Sequence, residues 1–142
     1  MHRIWLILVL LLSAPLMAGV ADCSQSQVPK RCEVLRAGQA TCQDVAPAQM
    51  KACLEDFTPD TSCRRQRDVA RCEALRTAQS ACNTLSGAAR RLCVQQQLPL
   101  ADCAQAKDAA RCQRLAEAEA ACAGLFGAEQ RQCVARRFAL SK

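Results

Sequence analysis

The sequence predicts an all-α fold of three tandem 40-residue helical hairpins, each stapled by disulfides and set side by side as a solenoid-like or compact array. Three observations carry this. The twelve cysteines stand at 23, 32, 42, 53, 63, 72, 82, 93, 103, 112, 122 and 133, so each group of four repeats the last with a shift of 40. Apolar residues recur at helical spacing, and no segment alternates apolar and polar residues as a half-buried strand does. With 12 Cys in 142 residues, the chain approaches the level of about one in ten that marks a short secreted protein as a disulfide scaffold.

Residues 1–21 read as a signal peptide. Met1, His2 and Arg3 make a basic start, and Ile4–Leu12 is an unbroken apolar run. Gly19, Val20 and Ala21 supply the small residues that place cleavage after Ala21. The run is shorter than the about 20 residues that span a bilayer, and nothing after Ala21 is apolar for long enough to do so. An uncleaved anchor is one alternative. A lipid on Cys23 is another, but Asp22 sits where that motif wants a small residue, and Cys23 is in register with Cys63 and Cys103. The Lys-poor, Ala- and Arg-rich composition points to a bacterium. The expected location is therefore its periplasm or the outside medium, where thiols oxidise.

Three repeats follow, at 22–61, 62–101 and 102–142. Arg31, Arg71 and Arg111 each precede the second Cys of their repeat, and Leu35, Leu75 and Leu115 follow it by three. Leu54, Val94 and Val134 each follow the fourth Cys. The first helix of each hairpin is expected over 28–45, 68–85 and 108–125. Asp68 and Asp108 suit its N-cap, and Pro29 suits its first turn. Cys72, Leu75, Cys82 and Leu85 form its apolar side in the second repeat, interrupted by Gln79. Pro47, Gly87 and Gly127 mark the turn. The second helix is expected over 48–57, 88–97 and 128–138. Met50, Cys53, Leu54 and Phe57 give its buried face in the first repeat, and Pro59 and Pro99 stop it.

Geometry limits the cysteine pairing. Two residues ten apart on one helix stand about 15 Å apart, whereas a disulfide needs Cα atoms within about 7 Å. Pairs such as Cys32–Cys42 are therefore excluded within a helix. Cys42–Cys53, Cys82–Cys93 and Cys122–Cys133 straddle the turn symmetrically and are the expected hairpin bridges. Two schemes accommodate the other six. A nested one joins Cys32–Cys63 and Cys72–Cys103 and leaves Cys23 and Cys112 over. A self-contained one joins Cys23–Cys32, Cys63–Cys72 and Cys103–Cys112, leaves none over, and requires a non-helical lead-in before Asp68, which Pro59-Asp60-Thr61-Ser62 can supply. The self-contained scheme is the one adopted.

Little chemistry is available to the repeats. The single His and single Trp are His2 and Trp5, inside the expected leader, and there is no Tyr. No His-based catalysis, His-ligated metal or aromatic platform for bases follows. There is no C-x-x-C or C-x-x-x-C to hold a metal or act as a redox pair. Glu117 and Glu119 stand on different sides of a helix, and Glu55-Asp56 reads as a solvated helix end. No catalytic residues, cofactor or metal is expected. Charge is the remaining lead. The repeats carry −2, +5 and +2 in order, and the second gathers Arg64, Arg65, Arg67 and Arg71, with Arg90 and Arg91 beyond. Arg offers fixed bidentate donors to carboxylates and phosphates. The four form a candidate contact for an anionic envelope component or an acidic protein, not for nucleic acid.

The unit Asp68-Val69-Ala70-Arg71-Cys72-Glu73-Ala74, then Ala81-Cys82, Gly87, Arg90 and Cys93-Val94, resembles a short Cys-rich repeat of uncharacterised exported proteins of Gram-negative bacteria. Its usual form is roughly D-P-A-R-C-E-A, then A-C, then G-x-x-R-x-x-C-L. The resemblance spans all three repeats and implies architecture only. The first repeat departs most, with Pro47 at the Gly position and Lys51 near the Arg position. The spacing alone is also similar to that of twin C-x9-C helical hairpins. The expected function is a non-enzymatic binding or structural module with a basic surface on the second repeat. The alternative is a periplasmic thiol protein for soft metals or redox stress.

Overall fold

The structure, a computed structural model, describes residues 22–104 and 106–140. The expected signal peptide and its cleavage point at Ala21 lie outside the described residues. Among the described residues six α-helices follow in order: α1 (Pro29–Cys42), α2 (Pro47–Phe57), α3 (Val69–Ala81), α4 (Gly87–Gln97), α5 (Ala109–Ala121) and α6 (Gly127–Leu140). Two 3-10 turns, Cys23–Gln25 and Cys63–Arg65, precede α1 and α3. No strand occurs among the described residues. Each repeat is a hairpin of two helices: α1 on α2, α3 on α4, and α5 on α6.

Local chemistry sets the helix starts. Asp68 and Asp108 accept from the backbone N–H groups of Arg71 and Arg111, both at 2.8 Å, and so satisfy an orphan donor of α3 and α5. Pro29 occupies the first turn of α1. The first helices end three or four residues earlier than the periodicity predicts. After the third Cys of each repeat the chain tightens into a turn, with Val45 N–H donating to Cys42 O, Leu85 to Cys82 O and Leu125 to Cys122 O. Leu85 therefore leaves the helix and is exposed.

Pro47, Gly87 and Gly127 begin the second helices rather than sit in the turns before them. Gly87 and Gly127 have φ of +55° and +59°, a region that costs side chains about 1–2 kcal/mol. They also admit close neighbours. A Cβ on Gly87 would stand 3.0 Å from the Asp44 carboxyl carbon, and one on Gly127 3.1 Å from the Ala52 Cβ. Pro47 cannot adopt that φ, and α2 is entered instead through an extended Ala46.

Six disulfides close the repeats on themselves: Cys23–Cys32 and Cys42–Cys53, Cys63–Cys72 and Cys82–Cys93, Cys103–Cys112 and Cys122–Cys133. Their Cα separations run from 5.5 Å to 6.1 Å. Short helices make this possible. Cys42 ends α1, and Cys82 and Cys122 cap α3 and α5, so each reaches across the turn to the next helix. The lead-in to α3 is a 3-10 turn followed by an extended Gln66, which swings Cys63 back onto Cys72.

No bridge joins one repeat to another, so non-covalent contacts hold the three together. α1 packs on α4, and α2 packs on α6. A solenoid repeat touches only its neighbours. Here the first repeat also touches the third: Gln49 donates to Glu129 at 2.9 Å and Gly127 N–H to Asp56 at 2.8 Å. The second and third meet where Gln95 donates to Leu125 O at 2.8 Å and accepts from Gly124 N–H. The array is thus compact and closed. Its core joins Cys42, Cys53, Phe57, Ala78, Cys82 and Val94, with Phe126 of the third repeat against it. Phe57 and Phe126 meet edge to face, centroids 6.5 Å apart. The bridges supply much of the buried apolar volume of a chain poor in large side chains.

Candidate functional site

Arg64, Arg65, Arg67 and Arg71 all lie within the segment that the Cys63–Cys72 bridge closes. Arg64 and Arg65 end the 3-10 turn, Arg67 stands in the link, and Arg71 is in the first turn of α3. All four are exposed, and none makes an ion pair among the described residues. The one carboxylate inside the loop, Asp68, is occupied as the cap of α3. Asp60 approaches from outside and accepts from Gln66 at 3.0 Å, and this bond holds its carboxyl below the usual range. The matching positions of the other loops are Ser24, Gln25, Gln27 and Arg31, and Ala104, Gln105, Lys107 and Arg111. The concentration of arginine is particular to the second repeat.

Arg90 and Arg91 do not extend this surface. They are 5% and 7% exposed and serve the interior. Arg90 donates through Nε to Gln79 Oε1 at 2.9 Å, and through its terminal nitrogens to the carbonyls of Gln79, Asn83 and Leu85. These carbonyls lie at and beyond the C-terminal end of α3, where a cation is favoured. No carboxylate pairs with it among the described residues, and burial pushes its pKa below the usual arginine value. Arg91 reaches into the first repeat. It donates to Thr41 O at 2.9 Å and grips both oxygens of Asp44, at 2.5 Å and 3.1 Å. Its guanidinium also lies 5.4 Å from the Phe126 ring centre. One side chain thereby contacts all three repeats.

The acids of the first repeat are used in the same way. Asp44 also accepts from the Ala88 N–H at the mouth of α4, at 3.1 Å, and Asp56 accepts from Gly127 N–H at the mouth of α6. Both place negative charge at a helix N-terminus. Asp56 is thus an interface residue and not merely part of a solvated helix end. Its neighbour Glu55 pairs with exposed Lys51, at 3.7 Å. Glu117 and Glu119 are both exposed. Among the described residues no three of His, Cys, Asp and Glu gather as a metal site, and all twelve cysteines are bridged.

The hydrogen bonds from Arg91 hold Asp44 below the usual carboxylate range. A lowered folded pKa contributes stability that is whole above the ordinary aspartate value of about 3.9. That contribution is lost as pH falls through the lowered value. Asp44 is about two-fifths exposed, so water screens the pair and the contribution is modest. Urea unfolding of the oxidised protein across the acid range checks this. Asp44→Asn should be less stable at neutral pH, and its stability should fall less steeply on acidification than that of the parent.

A second feature escaped the sequence reading. An open cleft lies between α1 and α3, which are tied near their C-terminal ends by Gln79 Nε2 donating to Thr41 Oγ1 at 3.2 Å. Lys30, Glu33 and Val34 of α1 and Glu73, Arg76 and Thr77 of α3 are among the residues along it. The first repeat's acids Asp44 and Asp56 are turned to the other repeats, whereas Glu33 and Lys30 both lie along the cleft. Compared with protein-family models, curated proteins and solved structures, the chain matches none.

Proposed function

We propose that this chain is an exported, non-enzymatic binding module of a bacterial envelope or its surroundings, contacting an anionic component through the loop closed by Cys63–Cys72. The observation that carries the reading is four exposed arginines held on one bridged loop without an ion pair. The bridge restricts the loop before any partner arrives, which lowers the ordering cost of binding. Guanidinium groups suit phosphate and carboxylate, and their attraction weakens with salt. Six disulfides fit an oxidising compartment. No helix among the described residues is long and apolar enough to cross a membrane. The likeness of the units to exported Cys-rich repeats supports the same placement.

Co-sedimentation with vesicles of phosphatidylglycerol in phosphatidylcholine tests the reading. The oxidised protein should bind at low salt and release as salt is raised. Arg64→Gln/Arg65→Gln/Arg67→Gln should abolish binding while the circular dichroism stays unchanged. Absence of binding at low salt, or binding that survives the triple substitution, overturns the proposal.

A further inference from the structure

The six disulfides differ in what a thiol can reach. Exchange needs a thiolate to approach one sulfur, and it is fastest when the other sulfur leaves as a stable thiolate. Both cysteines of Cys42–Cys53 and of Cys63–Cys72 are buried. In Cys23–Cys32, Cys82–Cys93 and Cys122–Cys133 the second cysteine is half-buried, but its mate is only 3%, 1% and 1% exposed in turn. Attack on the open sulfur of these three expels a thiolate into the interior, where an anion is costly. Among the described residues Cys103–Cys112 is the one bridge with neither cysteine buried.

Position on the helix sets the direction of attack. Cys32, Cys72 and Cys112 each lie in the first turn of a helix, where the N-terminal dipole stabilises a thiolate. Releasing one of them requires attack on Cys23, Cys63 or Cys103. The first two are each 3% exposed, whereas Cys103 is half-buried between exposed Asp102 and Ala104. The loop that this bridge closes also holds Lys107 and Arg111. The carboxylates beside it, Asp102 and Asp108, are engaged by the N–H groups of Ala104 at 3.0 Å and Arg111 at 2.8 Å. Opening here is local. The bonds that seat the third repeat on the others, through Glu129, Gly127, Leu125 and Gly124, cluster at the turn between α5 and α6, and Cys122–Cys133 ties that same end. At the other end Arg111 lies 5.6 Å from the Phe138 ring centre and holds the start of α5 to α6.

We infer that Cys103–Cys112 is a thiol–disulfide exchange site for a dithiol protein, opened while the other five bridges stay closed. A thiolate of the dithiol attacks Cys103 Sγ, the S–S bond breaks, and Cys112 leaves as a thiolate that takes up a proton. The second thiol of the dithiol then attacks the mixed disulfide and releases Cys103. Two electrons and two protons pass to the bridge, and the dithiol becomes a disulfide. The product is a folded protein with two thiols and a released segment around Leu100, which is already 76% exposed. The inference goes beyond the binding-module reading and does not rest on it.

The test is a time course of the oxidised protein in limiting dithiothreitol, a dithiol, without denaturant, quenched with N-ethylmaleimide and mapped by peptide mass. Cys103 and Cys112 should be labelled at least about tenfold faster than any other pair. The circular dichroism should be unchanged when that pair is fully labelled. Reduced glutathione, which has a single thiol, should leave its mixed disulfide on Cys103 and not on Cys112. Cys103→Ser/Cys112→Ser should keep the parent's helical signal, and its remaining bridges should resist the same treatment. First labelling at Cys63 and Cys72, where the arginine loop draws thiolates most strongly, overturns the inference, because charge and not access then governs exchange. Labelling of all pairs together, an adduct on Cys112, or loss of helical signal with the first pair overturns it as well. Vesicle binding by the arginine loop is measured on the oxidised protein, so the two proposals can fail separately.

Discussion

A strong thiol reductant, with no denaturant present, is expected to abolish most of the helical circular dichroism of the oxidised protein and to raise its mass by about 12 Da, one hydrogen per thiol. Each bridge closes a loop with a sequence separation of 9 or 11, for which chain entropy gives about 2.5 kcal/mol. The six loops do not overlap, so their contributions are close to additive and reach about 15 kcal/mol, the top of the about 5–15 kcal/mol that holds a typical domain folded. Little else can replace them. Cys42, Cys53, Cys82 and Cys122 are among the most buried side chains, and among the described residues only Phe57 and Val94 of the larger apolar residues are equally buried. Reduction removes a crosslink and also leaves thiols in a core shaped for a bridge. The size of the effect should follow burial. Cys42→Ser/Cys53→Ser, which removes the bridge in the core cluster, should cost more than Cys103→Ser/Cys112→Ser, whose cysteines are only half-buried. Retention of the full helical signal after complete reduction would show that the bridges decorate a fold that stands without them.

The hairpins are legible because covalent geometry is unforgiving. Two cysteines 11 apart around a turn can meet, and two cysteines ten apart on one helix cannot. The parts the sequence concealed are those where a polar side chain does a core residue's work. Gln79 breaks the apolar stripe of α3 and reads as a flaw, yet it is 4% exposed. Arg90 and Arg91 count as surface charge, yet they point inward. Register held the missing signal. Arg90 aligns with Met50, already on the apolar face of α2, and Arg91 stands three residues before Val94 on α4. Contact between the first and third repeats had no such signal, because it rests on Asp56, Phe57 and Phe126 finding one another across long separations. The cleft between α1 and α3 follows instead from how the second repeat sits on the first, through Thr41 and Gln79.

Gln79→Leu is expected to destabilise the oxidised protein by about 3–5 kcal/mol, the range for breaking a buried polar network that holds a charge. Leucine is close to glutamine in volume, so the loss is electrostatic and not a cavity. Thr41 Oγ1 donates to Ala37 O at 2.7 Å and accepts from Gln79 Nε2. The second Nε2 proton goes to Phe57 O at 2.7 Å, and Oε1 accepts from Arg90 Nε. Leucine leaves Phe57 O and Arg90 Nε buried and unpaired at once. Arg90→Met made in the same chain removes the stranded charge, so the double variant should recover about 1–3 kcal/mol relative to the sum of the singles. Gln79 bonds Thr41 and Phe57 of the first repeat from within the second, a junction that no disulfide crosses. Its loss should therefore separate the repeats before it unravels them. In moderate urea the variant should keep most of its helical signal while its small-angle scattering radius grows and the amides near Thr41 and Phe57 exchange faster. Helical signal and radius changing together, as in the parent, would mean that the hairpins and their assembly are one cooperative unit, and that the network binds no separable joint.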